Sequence, residues 1–175
     1  MLDMARARPG CEQVHWIHGS ATDLGPLEAD LAIMSGHVAQ FFLTDEAWEA
    51  ALLSLHGALR PGGHLAFESR NPGAREWERW TRDRRTTADD PLAGRIEAWS
   101  EVQDVTDGIV SYTIHYRFFS SGDELTAPMK LRFRTREALA QSLSDAGFLV
   151  QELYGDWDRR PTSAATRELI FVAVR

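Results

Sequence analysis

The sequence predicts an α/β fold, a mainly parallel sheet with helical cover and an inserted antiparallel meander of three strands. Three observations carry this. Two short, continuous apolar runs, DLAIMSG (30–36) and HLAFES (64–69), flank a helix-patterned segment, the order of parallel strands joined by a helix. Residues 95–134 instead alternate apolar and polar positions in several stretches with turn residues between them. The chain then closes with a second helix pattern and two further apolar runs, 148–154 and 168–174.

Residues 2–8 read as the end of a helix stopped by Pro9-Gly10, and VHWIH (14–18) reads as a short strand. After the run at 30–36, Thr44 stands as an N-cap with Asp45 and Glu46 in the first turn, where the helix dipole favours negative charge. Trp48, Leu52, Leu55 and Leu59 recur at helical spacing as one apolar stripe, which Arg60-Pro61-Gly62-Gly63 ends. In REWERWTRDRR (75–85) Trp77 and Trp80 lie one helical turn apart among charges, the pattern of an amphipathic cap helix, followed by DDPLAG as a loop. RIEAWSEV, IVSYTIHYRFF and LTAPMKLRFR are the three meander strands, with Asp107-Gly108 and Ser121-Gly122-Asp123 as turns. Thr135 caps a second helix with Leu139 and Leu143 on one side, and Gly147 sits where a C-terminal glycine ends it. With no repeat and no linker, residues 1–175 form one domain in which 72–134 are an inserted cap and meander.

Composition narrows the function. At 43% hydrophobic and 10% aromatic residues the chain has material for a packed core. With 19 basic and 26 acidic side chains the net charge is −7, which argues against nucleic-acid binding. Cys11 alone makes neither an internal disulfide nor a cysteine metal cage, and a reducing cytoplasm is the expected location. The opening MLDMARARPG is not a signal peptide, and no apolar run approaches the ~20 residues that cross a bilayer. No membrane partner is expected.

In open parallel sheets ligands sit at the carboxyl ends of strands. The residues there are Gly19 to Asp23, Ser35 to Gln40, and Glu68 to Asn71. They are small or polar, as a ligand approaching the backbone requires, although strand-to-helix turns have that composition without any ligand. Glu68 suits a general base, or is simply a hydrogen-bonded carboxylate. His15 and His18, three apart on a strand, point to opposite faces and do not share a metal. His37, at a strand end, is the one histidine placed for chemistry, with a plain turn role as the alternative. The tryptophans among arginines at 75–85 read as a cap over a site mouth rather than a nucleic-acid platform, given the acidic balance. There is no serine–histidine–acid pattern and no P-loop.

The blocks LDMARARPG, VHWIHGSATDL, ADLAIMSGHVAQFF, LHGALRPGGHLAFESRNP and the closing DAGFLVQELYGDWDRRPTSAATRELIFVAV together resemble class I S-adenosylmethionine-dependent methyltransferases of the small-molecule type. The resemblance spans nearly the whole chain and implies a Rossmann-like sheet, mainly parallel with an antiparallel last strand, S-adenosylmethionine as cofactor and methyl transfer to a small-molecule acceptor. By position it sets Ser20 and Ala21 beside the adenine, where the family usually has an aspartate and Ser20 offers an uncharged acceptor. It sets Ser35, Gly36 and His37 at the methionine end and Gln40 near the transferred methyl. Arg70, Asn71 and residues 154–158 face the acceptor, and Gln40, Glu68 and Arg70 are the catalytic candidates. The family's glycine-rich turn and the acidic residue after its second strand have no counterpart, so the sheet is expected to be truncated, beginning after that second strand. Three outcomes follow: 14–18 moves beside 30–35, another polypeptide completes the exposed sheet edge (a homodimer among the options), or the fragment is poorly stable. Two other functions stay open, a non-catalytic remnant that pairs with another chain and a small-ligand module built on the meander.

Overall fold

A computed structural model describes residues 2–163 and 165–175. In chain order the elements are α1 (Leu2–Arg6), β1 (Ala29–Met34), α2 (Asp45–Ala58), β2 (Leu59–Arg70), β3 (Thr86–Asp90), β4 (Gly94–Thr106), β5 (Ile109–Phe118), β6 (Glu124–Arg132), α3 (Arg136–Asp145), β7 (Leu149–Tyr154) and β8 (Glu168–Val174). Two four-stranded sheets result, one ordered β1-β2-β8-β7 and one ordered β3-β4-β5-β6.

Local signals set the helices. The Thr44 hydroxyl accepts from the Ala47 N–H at 3.2 Å to start α2, and the Thr135 hydroxyl accepts from Ala138 at 3.1 Å to start α3. At the end of α3 the Gly147 N–H reaches the Ser144 carbonyl and the Phe148 N–H the Leu143 carbonyl, a Schellman closure that Gly147 permits with φ +90°. Both helices bury one stripe against the first sheet: Trp48, Leu52 and Leu55 from α2, Leu139 and Leu143 from α3. They meet Phe67 and Phe171, whose rings stack at 5.3 Å, with Trp48 edge-on to Phe67 at 5.5 Å. Each such side chain contributes roughly 1.5–3 kcal/mol by burial, so this stripe anchors the sheet. The Trp48 indole N–H also donates to the Ser142 hydroxyl at 2.8 Å, satisfying the one polar atom the ring carries.

The second sheet has its own smaller core of Val110, Tyr112, Leu131 and Phe133. Arg134 ties it to the first: its guanidinium donates to Asp45 at 3.1 Å and to the Phe42 and Thr44 carbonyls at 2.9 Å each, beneath the Trp48 ring.

The structure departs from the sequence reading in four places. Residues 14–18 form no strand, neither beside β1 nor elsewhere. Their pattern is strand-like, but strand propensity counts only where a ladder partner exists. Among the described residues β1 pairs with β2 alone, and Leu31 and Ile33 are 52% and 61% exposed. Second, β2 begins at Leu59, so Arg60-Pro61-Gly62-Gly63 belongs to the strand rather than to a break before it. The strand directions are those expected: β1, β2 and β7 run one way and the last strand, β8, enters antiparallel between β2 and β7. Third, the inserted meander has four strands rather than three. The added β3, TTADD, is exposed at every position and so lacks alternation; the Asp90 carboxylate, accepting from the Leu92 and Ala93 N–H groups, turns it onto β4. Fourth, residues 72–84 form short 3-10 turns instead of an α-helix. Arg75 at φ +45° breaks the run, and tertiary packing places Trp77 against Phe133 and Trp80 against Tyr112, each at 4.7 Å.

Candidate functional site

The carboxyl ends of β1 and β2 lie side by side because their ladder is parallel, with Met34 opposite Phe67. After β1 the chain turns through two left-handed residues, Gly36 (φ +75°) and His37 (φ +60°). A side chain at φ above zero is disfavoured, and here the turn is held from the neighbouring strand. The His37 N–H donates to Glu68 Oε1 at 2.7 Å, and its imidazole Nε2 lies 3.0 Å from Glu168 Oε2. Ser35 and Gly36 remain exposed, and a Cβ built on Gly36 meets nothing within 4 Å.

The following 3-10 turn, Val38–Phe41, drives Gln40 fully inside. Its Oε1 accepts from the Arg70 backbone N–H at 3.4 Å and from Arg70 Nη1 at 3.1 Å. Arg70 faces Glu168 across the β2–β8 ladder, and its guanidinium lies 5.5 Å from the Trp80 ring centre. Burial lowers the Arg70 guanidinium from its ordinary value, opposed by Glu168 first and then Tyr112, Glu76 and Glu68. Burial likewise raises the Tyr112 phenol, with Arg70 opposing. Glu68 is 4% exposed, and its second oxygen, Oε2, has no hydrogen-bond partner. A buried carboxylate oxygen with no partner is costly and points to a group that belongs there.

Of the sequence candidates, His37, Gln40, Glu68 and Arg70 are thus brought to one site as two hydrogen-bonded pairs, His37–Glu68 and Gln40–Arg70, with Ser35 and Gly36 exposed beside it. Ser20 and Ala21 are not joined to it by any hydrogen bond among the described residues. Ser20 instead caps the 3-10 turn Ala21–Asp23, its N–H bonded to the Asp23 carboxylate at 2.6 Å. Asn71 braces the loop before β8, donating to the Thr166 carbonyl at 2.8 Å and accepting from Gly73 at 3.0 Å. Glu168 and Tyr112 were missed. Glu168 follows from the β2–β8 register once that pairing is known; Tyr112, mid-strand in the meander, carries no local signal.

Two surface hollows flank the site. One, about 440 Å³, is lined by Gly155, Asp156, Arg160, Arg167 and Glu168 among others. The other, about 460 Å³, is lined by Phe41, Leu43, Tyr112, Met129 and Lys130 among others, between the loop after β1 and the second sheet. Among the described residues no cluster of three or more His, Cys, Asp or Glu side chains is arranged for a metal, and no helix is long and apolar enough to cross a membrane.

No protein-family model matches the chain, and no curated protein matches it. Solved structures do. An S-adenosylmethionine-dependent methyltransferase from Clostridium acetobutylicum superposes with TM-score 0.71 at 12% identity, over 89% of this chain and 62% of its own. The methyltransferase CcbJ from Streptomyces caelestis gives TM-score 0.74 at 20% identity, over 98% of this chain and 72% of its own. CalS10, an amino pentose methyltransferase from Micromonospora echinaspora solved with S-adenosylmethionine bound, gives 0.69 at 19% identity, over 99% and 69%. The fold is that of S-adenosylmethionine-dependent methyltransferases, and the chain spans under two thirds of the length of the clostridial one.

Proposed function

We propose that this chain carries the methionine end and the acceptor side of a class I methyltransferase site, and that its reaction is methyl transfer from S-adenosylmethionine to a small-molecule acceptor. The observation that carries the reading is the double pairing across the ends of β1 and β2, His37 and Gln40 on one strand end and Glu68 and Arg70 on the other. That is where an open α/β sheet receives its ligand. The likeness to a structure with S-adenosylmethionine bound supports the cofactor.

The residues fit that end of the cofactor. The exposed Ser35-Gly36 backbone leaves room for a close approach, and Glu68 holds an unpartnered carboxylate oxygen suited to a cationic neighbour. The described residues hold no glycine-rich turn for the nucleotide half, and Ser20 and Ala21 remain candidates for the adenine contact. When bound, the cofactor supplies an electrophilic methyl for in-line displacement. The chain's own residues do the positioning, which is the main demand of such a reaction. Glu68 fixes the left-handed His37 turn. Glu168 orients the imidazole through Nε2, which leaves Nδ1 to take a proton from the acceptor. Gln40 holds Arg70 at the acceptor side.

Calorimetric titration with S-adenosylhomocysteine tests this. Binding that His37→Gln and Gly36→Val each weaken at least tenfold supports the reading; a flat titration at millimolar ligand overturns it. The open β1 edge, with Leu31 and Ile33 exposed, favours a second reading in which the chain also pairs with a second copy there.

A further inference from the structure

The inserted segment and β4 build a second constellation that the site at the ends of β1 and β2 does not use. In a 3-10 turn side chains three apart eclipse, so the turn Glu76–Arg79 with its cap residue Trp80 brings Trp77 and Trp80 to one side. Both pack onto the second sheet, Trp77 on Phe133 and Trp80 on Tyr112, and both stay half-buried. They line a surface hollow of about 570 Å³ whose other walls include Thr81, Arg82 and Glu101. That size lies within the range of about 300–1,000 Å³ usual for small-molecule sites. The buried Trp99 sets the polar wall. Its ring stacks on His115 at 4.9 Å, and the Arg82 guanidinium lies 5.3 Å from its centre. Its Nε1–H donates to Glu101 Oε2 at 3.1 Å, and His115 Nε2 lies 3.0 Å from the same oxygen. Among the described residues Glu101 Oε1 makes no hydrogen bond, and Arg82, with five donors, makes neither a hydrogen bond nor an ion pair. One tryptophan thus orients an acceptor at its N–H and a donor over its ring, and the two stay apart. The charges lining the hollow balance: Arg75 pairs with Glu78 at 2.7 Å, and Arg82 is matched in number by Glu101. An ion of either sign gains little there, whereas a neutral group that both donates and accepts is matched.

We propose that this hollow binds a saccharide, a pyranose ring whose C–H face lies on Trp77 and whose neighbouring hydroxyls bridge Arg82 and Glu101. Arg70 lies 5.5 Å over the Trp80 ring, which leaves Trp77 as the stacking surface. A hydroxyl donates to a carboxylate oxygen and accepts from a guanidinium, which answers an unpaired acceptor and an unpaired donor on one wall. A ring without hydroxyls uses the indole but leaves both charged groups unanswered; a linear polyol uses the charges but leaves the indole bare. Nothing in this depends on methyl transfer, since Trp77, Arg82 and Glu101 take no part in the site at the ends of β1 and β2.

The test titrates the full chain with methyl β-D-glucopyranoside and its galacto and manno counterparts, following the Trp77 indole N–H resonance. At least one pyranoside is expected to bind in the millimolar range, at least fivefold more tightly than tetrahydropyran (a ring without hydroxyls) or sorbitol (hydroxyls without a ring). Arg82→Ala and Glu101→Ala are each expected to weaken it at least threefold and Trp77→Leu to abolish it, while Arg117→Gln, a cation paired with Glu124, leaves it intact. Should Trp77→Leu fail to fold for want of its packing on Phe133, the other two variants decide, because Arg82 is exposed and Glu101 half-exposed. No shift with any pyranoside at tens of millimolar, equal binding of tetrahydropyran or sorbitol, or an affinity unchanged in Arg82→Ala or Glu101→Ala overturns the proposal. Either result leaves the methyltransferase reading as it stands.

Discussion

Gln40 is fully buried, and a buried amide persists only where its polar atoms are used. Replacing it by leucine keeps the volume near constant and removes the acceptor. Two bonds are lost: 3.1 Å to Arg70 Nη1 and 3.4 Å to the Arg70 N–H. A hydrogen bond to a charged donor is worth about 1.5–3 kcal/mol when buried, and the half-exposure of Arg70 brings that to about 1 kcal/mol. The orphaned backbone N–H adds about 1 kcal/mol, at the low end because its bond is long. The third contact, Nε2 to the Arg132 carbonyl at 3.5 Å, sits at the limit of hydrogen bonding and adds little. Gln40→Leu therefore costs about 2 kcal/mol, which in a domain of this size lowers the melting midpoint by about 4–8 °C. Gln40→Glu keeps the acceptor oxygen that both bonds use and adds a negative charge beside Arg70, so it stays within about 1 kcal/mol of wild type. Thermal denaturation at neutral pH, followed by circular dichroism, reads both. A Gln40→Leu protein as stable as wild type, or a Gln40→Glu protein as damaged as Gln40→Leu, would refute the reasoning.

Gly147→Ala forces a side chain onto φ +90° and sets its Cβ 3.0 Å from His56 Nε2; a loss of about 1–2 kcal/mol is expected in urea denaturation, and an unchanged midpoint would contradict the Schellman closure. Burial first, then the Arg175 charge, hold the His56 imidazole below its ordinary value of 6.5, against an opposing backbone bond at Gly147. The unfolded chain thus binds that proton more readily, so the contribution is present above pH 6.5 and lost as pH falls through the depressed folded value. His56→Leu should flatten stability between neutral and mildly acid pH; an identical profile in the variant counts against it. Ile33→Lys places a charge on the open β1 edge, and light scattering after size exclusion should report less self-association than wild type; a wild-type monomer at all concentrations rules out the β1 contact.

What the sequence made legible is what local chemistry decides. Thr44, Thr135 and Gly147 announce helix ends because a cap is a contact within a few residues. The strand ends that carry the candidate residues were legible for a related reason, since a run of apolar residues ending in Ser35-Gly36-His37 or Glu68-Ser69-Arg70 marks the end of β1 or the last residues of β2 by itself. Long-range pairing was not legible. Glu168 meets His37 across 131 residues, and that contact depends on β8 entering between β2 and β7. Residues 14–18 failed for the converse reason, a good local pattern with no ladder to join. The TTADD strand buries nothing, so no hydrophobic period marks it. Trp77 and Trp80 had helical spacing, but Phe133 and Tyr112 set their places.

The central claim is that cofactor and acceptor meet at the paired ends of β1 and β2. Backbone amide shifts recorded during titration with S-adenosylmethionine test it most directly, because they localise even weak binding. Changes concentrated at Ser35, Gly36, His37 and Glu68 to Arg70 are the predicted result. No changes at millimolar cofactor, or changes gathered instead around the Asp45–Arg134 contact, would contradict it.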